Sequence, residues 1–161
     1  VNRRVLTVIA AILSAVMLSA VLAACSEETV NGAMTEVKND KGVLTGYERR
    51  YHNDHGDITR LDVYDTEKEY KSFVLYEYDD EYRLFTETYY KADGIATSRI
   101  VYTYDDDGKL YEKAYEYPHG ESNVERYDKE GENVEKLYYD TDGKLIKHET
   151  LKDGKWVETK E

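Results

Sequence analysis

The chain has little of what usually stabilises or equips a small domain. Its 161 residues include one cysteine, Cys25, and one proline, Pro118. A single thiol excludes an internal disulfide. Cations are few, with 22 Lys and Arg against 34 Asp and Glu for a net charge of −12. That balance favours solubility and argues against nucleic acid as a partner, because phosphates would be repelled. Large aliphatic residues are scarce as well. From residue 43 to 161, Val, Leu, Ile and Phe together number 21 of 119, a share that normally marks a disordered chain. No helical period follows Cys25. Ser72, Ser98 and Ser122 lack a nucleophile-elbow setting, and no glycine-rich phosphate loop occurs. An enzyme is not expected, nor a cofactor.

Tyrosine fills the gap. All 17 Tyr and the single Trp fall in the same stretch and raise the count to 39 of 119. Tyr has high β-propensity, and its ring can cover a sheet face while its hydroxyl stays in water. The domain is expected to fold on aromatic rather than aliphatic packing.

The N-terminus reads as an address. Asn2-Arg3-Arg4 is a short basic region, followed by the apolar run 5–22 and by Leu22-Ala23-Ala24-Cys25. These residues resemble the lipobox signal of bacterial lipoproteins. The resemblance implies cleavage between Ala24 and Cys25, lipid on the Cys25 thiol, and attachment to the outer face of a cell membrane. The alternative is an uncleaved anchor, since 5–24 is about long enough to span a bilayer. Loss of Arg3 and Arg4 with the leader leaves 20 basic residues against 34 acids, a net charge of −14. Val1 is expected from a GUG start codon, which would make the chain a full reading frame. Residues 25–41 are expected to be the lipidated Cys and a flexible tether, and 42–161 the folded domain.

Self-similarity is the strongest signal beyond the leader. Tyr104-Asp105-Asp106-Asp107-Gly108-Lys109-Leu110, Tyr127-Asp128-Lys129-Glu130-Gly131 and Tyr139-Asp140-Thr141-Asp142-Gly143-Lys144-Leu145 share one pattern, with Tyr90-Lys91-Ala92-Asp93-Gly94 close to it. Taking Tyr82 and Lys68 as degenerate copies, turns are expected at 42, 56, 68, 82, 94, 108, 120, 131, 143 and 154. The spacing of about twelve residues suits one strand plus one tight turn. Asp or Asn holds each turn through side chain–backbone hydrogen bonds, and Gly supplies the positive φ. The expected fold is all-β: an antiparallel meander of about ten strands, open or curled on itself. In 98–104, Ile100, Tyr102 and Tyr104 share a face. In 70–78, Tyr70, Val74, Tyr76 and Tyr78 are expected opposite Phe73 and Leu75.

The Tyr-Asp-x-x-Gly-Lys-Leu pattern resembles the YD (RHS-type) repeat of bacterial surface and toxin proteins. The segment 138–156 is similar to the MORN-variant repeats of antitoxin-like proteins. Both resemblances imply a β-repeat architecture, and neither brings catalytic residues to this chain.

Few positions suggest a ligand. An EF-hand register on Gly143 would put Tyr138 in the first ligand place, and one on Gly108 would put Thr103 first and Ala114 last, so turn-forming Asp is the better reading. His52 and His55 have zinc-like spacing but no second pair nearby, so no metal site is expected. The Tyr rows remain, as cross-strand scaffold or as a docking face for a glycan or a protein. Tyr102, Tyr104, Tyr115 and Tyr117, which flank the Gly108 turn, are the candidate face. The expected role is a membrane-anchored, non-catalytic module for protein or glycan interaction. The alternative is a toxin-neutralising or immunity protein, whose −14 charge would suit a basic toxin.

Overall fold

The structure, a computed structural model, describes residues 30–159; the apolar leader, its cleavage position at Ala24 and the lipidation position Cys25 lie outside the described residues. Eleven strands follow one another: β1 (Val30–Lys38), β2 (Leu44–His52), β3 (Ile58–Tyr64), β4 (Tyr70–Tyr78), β5 (Leu84–Lys91), β6 (Ala96–Tyr104), β7 (Leu110–Glu116), β8 (Ser122–Tyr127), β9 (Asn133–Tyr139), β10 (Leu145–Lys152) and β11 (Lys155–Glu158). They form a single antiparallel sheet in sequence order, so each strand pairs only with its neighbours in the chain. The meander is open, with β1 and β11 as its edges.

Every expected turn position carries a left-handed residue. Lys68 and Tyr82 take φ of 67° and 60°, in line with 76° at Gly108 and 73° at Gly143. Asp105 shows why the pattern recurs. Its Oδ1 accepts hydrogen bonds from the backbone N–H of Asp107 (3.0 Å) and Lys109 (2.9 Å). Its carbonyl accepts the Gly108 N–H at 2.9 Å. Asn39, Asn53, Asp65, Asp79, Asp128 and Asp140 hold their turns in the same way. A four-residue turn closed on a left-handed residue returns the chain directly into the next strand.

Beside most turns the pairing slips by one residue, a β-bulge. The slip makes the residue before the turn Asp a cross-strand partner of the residue six positions later: Tyr78 with Leu84, Tyr104 with Leu110, Tyr139 with Leu145. The Tyr and Leu of the repeat are therefore register partners across a hairpin. The bulge also corrects one expectation. The residue passed over between Ser72 and Tyr70 reverses the facing of Tyr70. Its ring stacks with Phe73 at 6.4 Å instead of sharing the Val74 face.

Ten turns join eleven strands, in keeping with a meander of about ten, and one further correction concerns the start of the sheet. The additional strand, β1, lies inside the segment 25–41 read as a tether. Its own residues carry no clear alternation; it is ordered by pairing with β2.

No second layer covers the sheet among the described residues. Among the described residues only Val74, Leu137, Asp62 and Thr86 have buried side chains. Val74 lies on what we term the front face, the others on the back. The back is tied by polar contacts. Asp62 accepts the Tyr51 hydroxyl at 2.9 Å and pairs with Arg60 at 2.6 Å. The Arg60 guanidinium lies 4.4 Å from the Phe73 ring, which in turn stacks on Tyr90 at 4.5 Å. A buried carboxylate compensated in this way holds β2 to β4 together, and removing one partner would strand its charge.

The turns give a direct test. A Cβ on Gly143 would meet nothing within 4 Å, and one on Gly108 only the Arg83 guanidinium at 3.6 Å. Gly108→Val and Gly143→Val should each cost about 1–2 kcal/mol, from backbone strain alone. Urea melts unchanged for both variants would contradict the turn geometry.

Candidate functional site

The front face is assembled by register. One row across the strands reads Tyr76, Glu87, Ile100, Tyr115, Asn123, Tyr138 and Lys147. The adjacent row, two residues along each strand, reads Tyr102, Lys113, Glu125, Lys136 and Glu149. Aromatic rings thus alternate with charges on a surface that neither a helix nor a second sheet covers among the described residues.

Three glutamates orient the rings. Glu87 accepts the hydroxyls of Tyr89 at 2.5 Å and Tyr102 at 2.6 Å. Glu125 Oε2 accepts those of Tyr115 at 3.0 Å and Tyr127 at 2.9 Å. Glu149 accepts that of Tyr138 at 3.0 Å. Three lysines lie over ring faces: Lys113 near Tyr102 and Tyr127, Lys136 near Trp156 at 4.4 Å, and Lys147 near Tyr138. Each of these contacted rings is held at its hydroxyl or its face.

Of the four expected tyrosines, Tyr102 and Tyr115 stand on these neighbouring rows. Tyr117 follows β7 at the first position of the Pro118–Gly120 turn and is 39% exposed. Tyr104 is engaged elsewhere. Its hydroxyl donates to the Leu84 carbonyl at 2.8 Å, and Arg83 sits 4.7 Å from its ring. Its role is to clamp a hairpin end. Sequence reasoning missed Asn123, Glu125, Lys136 and Tyr138, because their approach to Tyr115 depends on the register of β8 and β9.

That approach creates a shallow open groove of about 300 Å³, lined by Tyr115, Tyr117, Asn123, Glu125, Lys136 and Tyr138. Two features shape it. Asn123 is the short member of its row, set between two tyrosines. The β7–β8 hairpin, which carries Pro118, also lacks the bulge found in the hairpins from β2 to β7 and from β8 to β10, and bulges increase local twist. The groove opens beside this unbulged hairpin.

The turn aspartates, His55 and His148 have other occupations. Asp105 and Asp140 commit an oxygen to the backbone of their turns. His55 packs its ring against Tyr82, and His148 contacts Glu135 at 2.8 Å.

Burial, and then the bond to a glutamate, raises the pKa of Tyr89, Tyr102, Tyr115 and Tyr127; that of Tyr115 is pushed up to about 12 from an ordinary 10.0. A tyrosine whose folded value exceeds its unfolded value binds its proton more tightly when folded. Its contribution is complete below the unfolded value and is lost as pH rises through the folded one. Stability should therefore fall between about pH 10 and pH 12. Tyrosinate absorbance should rise together with loss of the β-sheet circular dichroism. Titration of these tyrosines near pH 10 with no change in urea midpoint would show that the pairs do not stabilise the sheet.

Comparison with known proteins gives no family. No family model matches the chain, and no curated protein matches it. Among solved structures, the chain is similar to a protein of unknown function from Bacteroides fragilis NCTC 9343, at 15% identity over 83% of this chain and 91% of that one, with a TM-score of 0.24.

Proposed function

We propose that this chain is an extracytoplasmic lipoprotein, anchored through lipid on Cys25, whose sheet is a non-catalytic docking module for a protein or a glycan. The observation that carries this reading is the front face. Ordered aromatic rings stand partly exposed there on a single-layer sheet, held by glutamates and lysines. Rings fixed before a partner arrives lose little entropy on binding, which is what a docking surface requires. The lipobox residues Leu22-Ala23-Ala24-Cys25 supply the anchor. Because β1 starts at Val30, only residues 26–29 separate the lipid from the sheet. Fully extended, that connection reaches roughly 17 Å, so the module would work close to the headgroups. The −14 charge after cleavage favours the toxin-neutralising role only if the partner is strongly basic.

The anchor and the face are tested separately. Cys25→Ala should leave an unprocessed precursor that takes up no fatty-acid label; a labelled product of mature size would refute anchoring. For the face, at least one of Tyr102→Ala and Tyr115→Ala should weaken capture of a partner from intact cells while leaving circular dichroism and melting intact. An anchor ring of an interface is often worth about 2 kcal/mol, whereas a half-exposed sheet Tyr gives roughly 0.2–1 kcal/mol to folding. If both changes either unfold the sheet or alter nothing, the rows are scaffold.

A further inference from the structure

We infer that the groove between Tyr115 and Tyr138 binds an uncharged, β-1,4-linked oligosaccharide. This inference rests on the reading of the front face as a docking surface and narrows it to one ligand chemistry.

Ring placement comes first. Tyr115 and Tyr138 lie on β7 and β9, on either side of Asn123. Two strand spacings separate them by roughly 10 Å, the scale of a disaccharide. The C–H faces of pyranose rings stack on tyrosine rings. Their hydroxyl bonds to Glu125 and Glu149 fix both rings in advance. A β-1,4-linked chain is a flat ribbon that fits a shallow open groove, whereas an α-1,4-linked chain coils away from one.

Polar groups lie where such a ribbon needs them. The Asn123 amide makes no hydrogen bond among the described residues and offers two donors and an acceptor. Both tyrosine hydroxyls on Glu125 go to its Oε2, which leaves Oε1 to accept from a sugar hydroxyl. Lys136 completes the lining. Sugar hydroxyls donate and accept, so they can satisfy all three groups.

Charge selects against the alternatives. The carboxylates of Glu87, Glu125 and Glu149 are matched on this face by Lys113, Lys136 and Lys147, and all six are already in contact with rings or hydroxyls. Each of these carboxylates already holds a tyrosine hydroxyl and is matched by a lysine, so this face carries no excess negative charge for a cationic peptide. An anionic polysaccharide meets the net negative charge of the whole chain. An uncharged ligand pays neither penalty.

The test uses the full chain, purified in a detergent without a sugar headgroup, and titration calorimetry with three tetrasaccharides: cellotetraose, α-linked maltotetraose and anionic tetragalacturonate. Saturable binding of cellotetraose should exceed that of the other two at least tenfold. Asn123→Ala should weaken it at least tenfold with an unchanged urea midpoint. Tyr138→Phe keeps the ring and should retain binding, whereas Tyr138→Ala should lose it. Absence of cellotetraose binding, equal binding of all three sugars, or indifference to Asn123→Ala would overturn the inference. Partner capture that still depends on Tyr102 or Tyr115, in a protein that binds no oligosaccharide, would discard the sugar and keep the docking face.

Discussion

Asp105 Oδ1 accepts two backbone N–H groups and its carbonyl a third, and the rest of the molecule depends on that small knot being tied repeatedly. Each knot forces the following left-handed residue, and the slip beside it brings a Tyr opposite the residue six positions on. This fixes hairpin register locally, without reference to any distant part of the chain. The meander follows because every connection is a tight turn, and a tight turn can only join antiparallel neighbours. Where the first turn residue is not Asp or Asn, at Lys91 and at Tyr117, the backbone bonds of the turn persist, joined at the first by the Asp93 Oδ1, which accepts the Ile95 N–H at 3.0 Å. The second of these sites borders the groove.

A sheet tied in this way needs no opposing layer, but it must then protect both faces from water with its own side chains. Tyrosine suits the task better than leucine, because its ring covers neighbouring backbone while its hydroxyl finds a carboxylate on the next strand. The back face uses the same economy with Asp62, Arg60 and Phe73. On the front, the groups that hold the sheet are also those left facing solvent, so stabilisation and display are carried by the same residues. Substitutions there should be read with paired measurements of folding and binding.

Much of this was legible in the sequence, for physical reasons. Turn chemistry is local, so all ten turn positions could be placed, including Lys68 and Tyr82, whose positive φ runs against their residue type. β1 was missed because nothing local marks it. Tyr70 was put on the wrong face because a bulge is a property of two strands, not of one run of residues. The same limit applies to the groove. Tyr115 could be singled out as a ring on an exposed face, but its neighbours Asn123 and Tyr138 sit 8 and 23 positions further along the chain. Only register brings them together.

The central claim is that stability passes from strand to strand, with no shared core. Residue-resolved hydrogen exchange on the intact protein tests it most directly, because an array stabilised by nearest neighbours opens from its ends. Protection should be greatest around Val74 and Thr86 on β4 and β5, and should decline stepwise toward β1 on one side and β11 on the other. Equal protection in all eleven strands, released in a single global opening, would contradict it.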